Sequence, residues 1–566
     1  MFTKLLRNKK INLADISDGR KLIYTAPRKL KFINKNIIKN IYDKSLNAYV
    51  LVYNQDVVNL STPFDTNGVE DGDYVTSIIL PTTVKTLNDL CFDGYCSLEE
   101  LTFTSDILKV GNHAFRNCKN LKTISGFSSV TELGDCVFQN SGIETIALSE
   151  NLSKLGADAF NNSKIKEITI PNFNINDKRC FKDCKDLTKV TLSSNVTLIP
   201  EYCFNGCTSL KYINFPETKI KLNLRCFAGC GLTNLDIICN RLPLHAFSGS
   251  NLWRISLKDT DDQYHSSDTS PFYNCTSLRY VDLWSDCSNI SEQMFAECSS
   301  LRRINLPSSI KSIGIWAFKN CTSLKIVDCS RLTKVPTLIA SAFGGAPSDM
   351  KIIVPDLLYD EWVVSDNWVD VSSQIVKGSD IFGVYMQNVD DDKLYTLEEW
   401  VNNGMSNCRG IVVIDERCSF TIPIVNYNNK KAKWSNSSVY FDDSDAIHAS
   451  TAETAMIDYC GEYNNKCIND APYTSIGGSD PSYLPALGEL KVAFDHKADI
   501  DAALSIIGQD SMLESWRYWS STQCSKRSAW TLNWSTGTIE IAHIGMENGR
   551  HYFRPLTSTT FYKFDN

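Results

Sequence analysis

Three pairs of cysteines, Cys180/Cys184, Cys203/Cys207 and Cys226/Cys230, stand in consecutive segments with three residues between partners. In stacked repeats they would form two ladders of thiols, and thiolates are both zinc ligands and redox partners. The spacing argues against both uses. Zinc sites usually take knuckles of two or four intervening residues plus a second pair presented tetrahedrally, whereas ladder positions lie side by side in an apolar core. The seven histidines (His113, His245, His265, His448, His496, His543, His551) show no His-Glu-x-x-His and no His-x-x-x-His spacing, so a catalytic metal has no visible ligand set. Asp390-Asp391-Asp392 and Asp442-Asp443-Ser444-Asp445 carry enough carboxylate for calcium but lack the glycine and closing glutamate of an EF-hand loop, and read as solvated turns. Neither the glycine-rich phosphate loops nor the Gly-x-Ser-x-Gly nucleophile elbow is present. No catalytic residue, cofactor or metal is therefore expected.

Composition limits the alternatives. The 566 residues suffice for two to four domains, each with its own core. An apolar fraction of 43%, a charged fraction of 22% and a net charge of -8 are those of an ordinary, mildly acidic protein, which disfavours non-specific nucleic-acid binding. No apolar run is long enough to span a bilayer, so membrane insertion is not expected. Met1 to Lys10 carries charge with no apolar stretch behind it, which is not the pattern of a secretory leader, and synthesis in the cytoplasm follows as an expectation. The 21 cysteines are odd in number and mostly recur at one phase of a repeat, where a small buried residue would serve equally well. Reduced, buried thiols are expected.

The element that positions these cysteines is that repeat. Phenylalanines fall at 92, 115, 138, 160, 181, 204, 227, 247, 272, 295, 318 and 343, in steps of 20 to 25 with 23 the commonest. Three residues after many of them stands a cysteine (Cys118, Cys184, Cys207, Cys230, Cys275, Cys298, Cys321), and Ser141, Ser163 and Ser250 replace it elsewhere. Five or six residues after each comes Leu or Ile, then an alternating strand such as Lys211-Tyr212-Ile213-Asn214-Phe215, several of which end in proline. One unit leaves an apolar face bare; stacking buries it, with strands about 4.8 Å apart. The period predicts a solenoid of about twelve repeats over residues 76–377, closed by Ile352-Ile353-Val354-Pro355 and an aromatic cover with Trp362 and Trp368. Residues 1–75 hold apolar alternation without the repeat and read as a lead-in cap or attachment segment.

The pattern resembles the BspA-like family of leucine-rich repeats, whose unit is similar to Ile-x-x-Ala-Phe-x-x-Cys-x-x-Leu. The segment Ile313-Gly314-Ile315-Trp316-Ala317-Phe318-Lys319-Asn320-Cys321-Thr322-Ser323-Leu324 follows it closely.

Past Lys377 the period stops, and six of eleven tryptophans (Trp400, Trp434, Trp516, Trp519, Trp530, Trp534) follow. Residues 378–566 form a separate domain in which two helices, around Leu484–Leu490 and Asp499–Gly508, precede alternating strands. Four ordered stretches resemble the C-type-lectin-like domains at the C-termini of phage receptor-binding and bacterial surface proteins: Leu484-Pro485-Ala486-Leu487-Gly488-Glu489-Leu490, Tyr518-Trp519-Ser520-Ser521-Thr522, Ala529-Trp530-Thr531-Leu532 with Gly537, and Arg554-Pro555-Leu556. That resemblance implies an α+β recognition domain with Trp519, Trp530, Gly537, Arg554 and Pro555 as scaffold. It places Tyr518, Gln523, Lys526, Arg527, Trp534, His543, Glu547, Asn548 and His551 toward the ligand. The calcium-and-sugar tripeptides of true C-type lectins are absent, so a protein ligand stands beside a glycan.

The mixed, β-rich chain is thus expected to be a non-enzymatic recognition and adhesion protein. As a phage virion component, a tail or head fibre, it would bind a host-cell-surface receptor through residues 378–566, with residues 1–75 meeting other virion proteins. The alternative is a bacterial cell-surface or secreted adhesin for a host protein or glycan. A second alternative, an enzyme of the formylglycine-generating type on the same lectin-like fold, needs an activated cysteine, and Cys524 stands alone among the final strands. Self-association, if present, must use folded faces, because no heptad run predicts a coiled coil.

Overall fold

The computed structural model describes residues 18–64, 74–103, 106–124, 126–171, 177–216, 218–239, 242–258, 270–390, 393–415, 418–423, 431–432, 486–507, 509, 517–525, 528–543, 551–552 and 557–558. Met1–Arg302, Pro307–Leu324 and Pro336–Ala346 make one compact unit, and Arg303–Leu306, Lys325–Val335 and Pro347–Asn566 a second. About twelve solenoid turns run over residues 59–377.

In the first unit, every repeat is built around its phenylalanine. The twelve rings from Phe92 to Phe343 stack at centroid separations of 5.1 to 5.7 Å with planes within 22° of parallel. Such offset stacks in a dry core add to the burial of each ring. The backbone follows the same register: each ring's amide donates to the carbonyl one residue before the next ring, as in Phe115 to Val137 at 2.8 Å and Phe204 to Cys226 at 2.8 Å. The residue before the ring is buried against its copies, which accounts for Cys180, Cys203 and Cys226.

Three residues after the ring, the thiol has a specific bond. Cys118 donates to the carbonyl of Phe92, Cys184 to Phe160, Cys207 to Phe181, Cys230 to Phe204 and Cys275 to Phe247, at 2.9 to 3.1 Å. At the same phase the Ser250 hydroxyl reaches Phe227 at 2.8 Å. In ten of the twelve repeats the position takes Cys or Ser, a small side chain able to donate; Tyr95 after Phe92 and Ala346 after Phe343 take it at the two ends of the spine. The two cysteines of each pair belong to separate ladders on either side of the ring.

The turn around each ring is paid for in backbone conformation. The residue two before and the residue two after every spine phenylalanine have positive φ, from Leu90 (59°) and Gly94 (77°) to Ser341 (63°) and Gly345 (78°). The later position is mostly Gly, Asn or Asp, which tolerate the left-handed region; the earlier one holds Leu90, Arg179, Tyr202 and Trp316, where that region costs about 1–2 kcal/mol per residue. Asparagines at the later position link through their amides, Asn140 to Asn117 at 3.2 Å and Asn162 to Asn140 at 2.9 Å.

The solenoid begins earlier than position 76, because Asn59–Leu60 pairs in parallel with Thr86–Leu87. Before it lie three antiparallel strands, β1 (Lys21–Thr25), β2 (Ile37–Asp43) and β3 (Ala48–Tyr53), in the order β2-β3-β1. These strands join the first solenoid strands directly, since β1 pairs with Ser77–Ile79, giving a five-stranded sheet with β2 at its edge. Inside it, Asn40 bonds the Tyr24 hydroxyl at 2.9 Å and the Leu30 carbonyl at 2.9 Å, so its burial leaves no unmet amide donor.

The second unit holds the parallel strands Arg303–Asn305, Ile326–Asp328, Lys351–Val354 and Ile375–Lys377. Trp362 and Trp368 are fully buried in the cover between the last two of these strands, with ring centroids 4.4 Å apart. Beyond Lys377 come two five-stranded sheets and the helices Leu397–Asn402, Leu487–Asp495 and Lys497–Ile506. Thr396 and Glu399 cap the first helix reciprocally, with Thr396 N–H donating to Glu399 Oε2 at 2.8 Å and Glu399 N–H to Thr396 Oγ1 at 3.2 Å. One core gathers Met386, Trp400, Ile411, Phe420, Leu487, Ile500, Tyr518 and Trp534. A second packs Ile326 and Ile353 of the solenoid strands with Ile381, Tyr385 and Val412, so the region after 377 shares a core with the last repeats and is not a detached bead.

Candidate functional site

Side chains on a strand alternate between core and solvent, so stacked parallel strands project their outward residues as rows. In the first unit Glu167–Ile170, Lys189–Leu192 and Tyr212–Asn214 pair in register, setting Glu167 beside Lys189 beside Tyr212, and Thr169 beside Thr191 beside Asn214. Their partners Ile168, Ile170, Val190 and Leu192 are buried. The Lys189 ammonium lies 5.5 Å from the centre of the Tyr212 ring, and Tyr212 is 49% exposed although it sits within a sheet. Farther along, Asn234–Ile238, Arg254–Lys258 and Tyr280–Asp282 form a second such set. Arg254 donates to Asp236 and to Asp282, both at 2.8 Å, a cation held between two more exposed carboxylates.

Next to Glu167 the ladder thins to a single bridge between Thr123 and Thr145. There a groove of about 560 Å³ opens, with Ile124, Ile146, Leu148 and Ile168 as apolar lining and Glu150, Glu167 and Lys189 as charged lining. At its flank Lys166 donates to Glu144 at 2.6 Å, which holds the Glu144 carboxyl below its ordinary range and raises Lys166. An apolar floor with charged walls and an adjoining aromatic suits binding of an amphipathic or polar ligand. Among the described residues no group of three His, Cys, Asp or Glu is arranged to hold a metal.

The spine cysteines cannot supply the missing chemistry. Burial pushes the Cys184, Cys275 and Cys321 thiols up to about 12, and Cys203, Cys207 and Cys230 well above the usual thiol range. Nucleophiles and metal ligands are thiolates, and these groups hold their protons. Cys136 is half-buried beside Asp158 and Asp135; burial first, then those carboxylates, raises it as well.

The residues placed toward a ligand by sequence divide sharply. Tyr518 and Trp534 are corrections: both are fully buried, their rings 5.4 Å apart, with Phe494 5.8 Å from Trp534. Strand alternation offers two faces, and the helix Leu487–Asp495 covers the one that holds Tyr518. Gln523, His543 and His551 lie on strands whose pairing is described while their side chains are not; Lys526, Arg527, Glu547 and Asn548 lie outside the described residues. Of the expected scaffold, Trp530 is buried, and Gly537 has φ +71° with Phe494 2.7 Å from where a Cβ would stand. Arg554 and Pro555 lie outside the described residues, as does the Trp519 side chain. Sequence reasoning missed the Glu167–Lys189–Tyr212 row, although an aromatic at the outward phase of a repeat strand was a readable signal.

The BspA type leucine-rich repeat region model matches six copies over residues 70–186, 174–268 and 240–357, just over half of the chain. The chain belongs to this family. Among solved structures it is similar to a leucine-rich repeat protein from Bacteroides ovatus, at 22% identity over 63% of this chain and 98% of that one, with a TM-score of 0.45. It is also similar to a leucine-rich cell-surface protein from Faecalibacterium prausnitzii, at 19% identity over 58% and 95%, TM-score 0.27. A third is the pneumococcal vaccine antigen PcpA, at 13% identity over 57% and 83%, TM-score 0.27. No curated protein sequence matches the chain.

Proposed function

We propose that this chain is a non-enzymatic recognition and adhesion protein whose ligand is a cell-surface protein or glycan. The observation that carries the reading is the outward face of the repeat strands, where Tyr212 stays half-exposed beside Lys189 and the groove lined by Glu167. Exposed aromatics with adjoining charge on a rigid sheet are the side chains that dominate recognition surfaces. Residues 378–566 act as a second, lectin-like contact module, in which Gln523, Lys526, Arg527, His543, Glu547, Asn548 and His551 meet the ligand. The core around Trp400, Tyr518 and Trp534 supports that role by fixing the strands that carry Gln523 and His543.

The chain is displayed at a surface, bacterial or virion. Fractionation distinguishes the two settings: a virion fibre co-purifies with particles, an adhesin with cell envelopes. The function is tested by binding of the full chain to whole cells and to a glycan array. Saturable binding that falls about tenfold in Lys189→Ala/Tyr212→Ala supports the strand face, a size typical of losing a central aromatic contact. Loss only in Arg527→Ala/His551→Ala moves the ligand to the C-terminal module, and no binding to either surface overturns the reading.

A further inference from the structure

We propose that the edge strand β2 is a self-association surface, on which a second copy of this chain docks antiparallel about a two-fold axis. Among the described residues β2 pairs only with β3, which leaves its other side as the edge of a five-stranded sheet. Edge strands template the addition of another strand, and proteins blunt them with short length, bulges, lysines or cover. β2 is seven residues long and presents Ile38 (57% exposed), Ile41 (52%) and Tyr42 (49%). Its bulge lies between Ile37 and Lys39, so Lys39 to Asp43 pairs regularly with β3 and stays straight enough to take a partner.

The charge on this stretch selects the occupant. Set Ile41 opposite Ile41 of a second copy, and antiparallel geometry places Lys39 opposite the partner's Asp43, and Asn40 opposite the partner's Tyr42. Each dimer then has two Lys–Asp pairs, and the lysine that would repel other strands becomes complementary to its own copy. Moving the centre to Lys39 instead sets lysine against lysine, so this register is specified. Asp43 keeps a carboxylate oxygen for the contact: its bonds to Ser45 N, Ser45 Oγ and Leu46 N all use Oδ1. Lys39, Ile41 and Asp43 are also cross-strand partners of Val52, Val50 and Ala48, which pack in the cluster of Ile23, Leu46 and Ile79. An Ile41–Ile41 contact extends that apolar row across the axis. Main-chain bonds supply affinity and these pairs supply register, as in other strand additions.

Sedimentation velocity of the full chain over a concentration series up to roughly 100 μM tests this, a range that covers the weak association expected of a small interface. The expected result is a shift from one to two chain masses as concentration rises. Ile41→Arg, at an exposed position, stays monomeric with an unchanged melting temperature. Lys39→Asp, which sets a second carboxylate against the partner's Asp43, raises the dissociation constant by about tenfold or more, while Lys39→Arg leaves it unchanged. A wild type that stays monomeric throughout overturns the proposal and leaves the edge to another occupant, such as the chain's own first seventeen residues. A dimer that survives Ile41→Arg overturns it too, by placing the interface elsewhere.

Discussion

The solenoid and the region after Lys377 bury aromatic residues equally well but by different rules. In the repeats, Phe204 is buried because it occupies one phase of a unit stacked on copies of itself, with Phe181 and Phe227 each 5.4 Å away. After Lys377, Tyr518 is buried because a particular helix covers a particular sheet face, and nothing in its own segment repeats. Phase in a repeat is a property of the sequence. Membership of a one-off core is a property of the finished fold.

The largest effect that could break this comparison is truncation of the two rings. Phe204→Ala and Tyr518→Ala should each cost about 3–5 kcal/mol in chemical denaturation. Hydrogen exchange should show the loss concentrated in neighbouring repeats for Phe204→Ala, since repeat contacts are local, and spread over the sheets after Lys377 for Tyr518→Ala. A Tyr518→Ala chain of wild-type stability that has lost ligand binding would restore Tyr518 to the ligand face.

A smaller effect sharpens the reading of the thiol ladder. Cys207→Val fits an apolar site but loses the donor to Phe181 and adds bulk, and should cost about 1–3 kcal/mol. Cys207→Ser, which copies the arrangement of Ser250, should cost under about 1 kcal/mol. Equal costs would mean that size alone rules the position. Smaller still, and opposite in sign, is Leu90→Gly: relief of a left-handed leucine that is 47% exposed should stabilise the chain by up to about 1 kcal/mol, read as a higher denaturant midpoint. A lower midpoint would show that Leu90 contributes packing that outweighs its strain.

The smallest effect is pH-dependent. Burial first, and the neighbouring Arg225 cation second, hold the His245 imidazole below its ordinary value of 6.5. The unfolded chain then binds a proton that the folded chain refuses. This group's contribution is fully present above about pH 6.5 and is lost as pH falls toward the folded value. His245→Gln should flatten the acid side of the stability profile below about pH 6.5. An unchanged profile would assign the acid sensitivity to other groups.

Much of the solenoid was legible because its signals recur. The phenylalanine period and the small residue three positions later reflect ring stacking and a tight site beside a carbonyl; the Gly, Asn or Asp two residues later recurs as regularly, and the structure gives its reason, a positive φ. The other left-handed position was not legible, because Leu90, Tyr202 and Trp316 share no chemistry and hold that backbone only because their neighbours do. The start of the solenoid was placed too late, since Asn59–Leu60 is two residues long and carries no repeat signature. After Lys377 the helices Leu487–Asp495 and Lys497–Ile506 were readable from periodicity, but the short helix Leu397–Asn402 and the inward face of Arg517–Ser525 were not, so Tyr518 was assigned to the wrong side. The outward row of Glu167, Lys189 and Tyr212 carried a readable signal only at Tyr212, a large ring that stays 49% exposed on a stacked strand.

Hydroxyl-radical footprinting of the full chain, free and saturated on receptor-bearing cells, tests the account most directly. Oxidation of Tyr212 and Tyr280 is expected to fall on binding while Tyr518 and Trp534 stay unreactive in both states. Protection absent from residues 167–282, or strong oxidation of Tyr518 in the free chain, would contradict it.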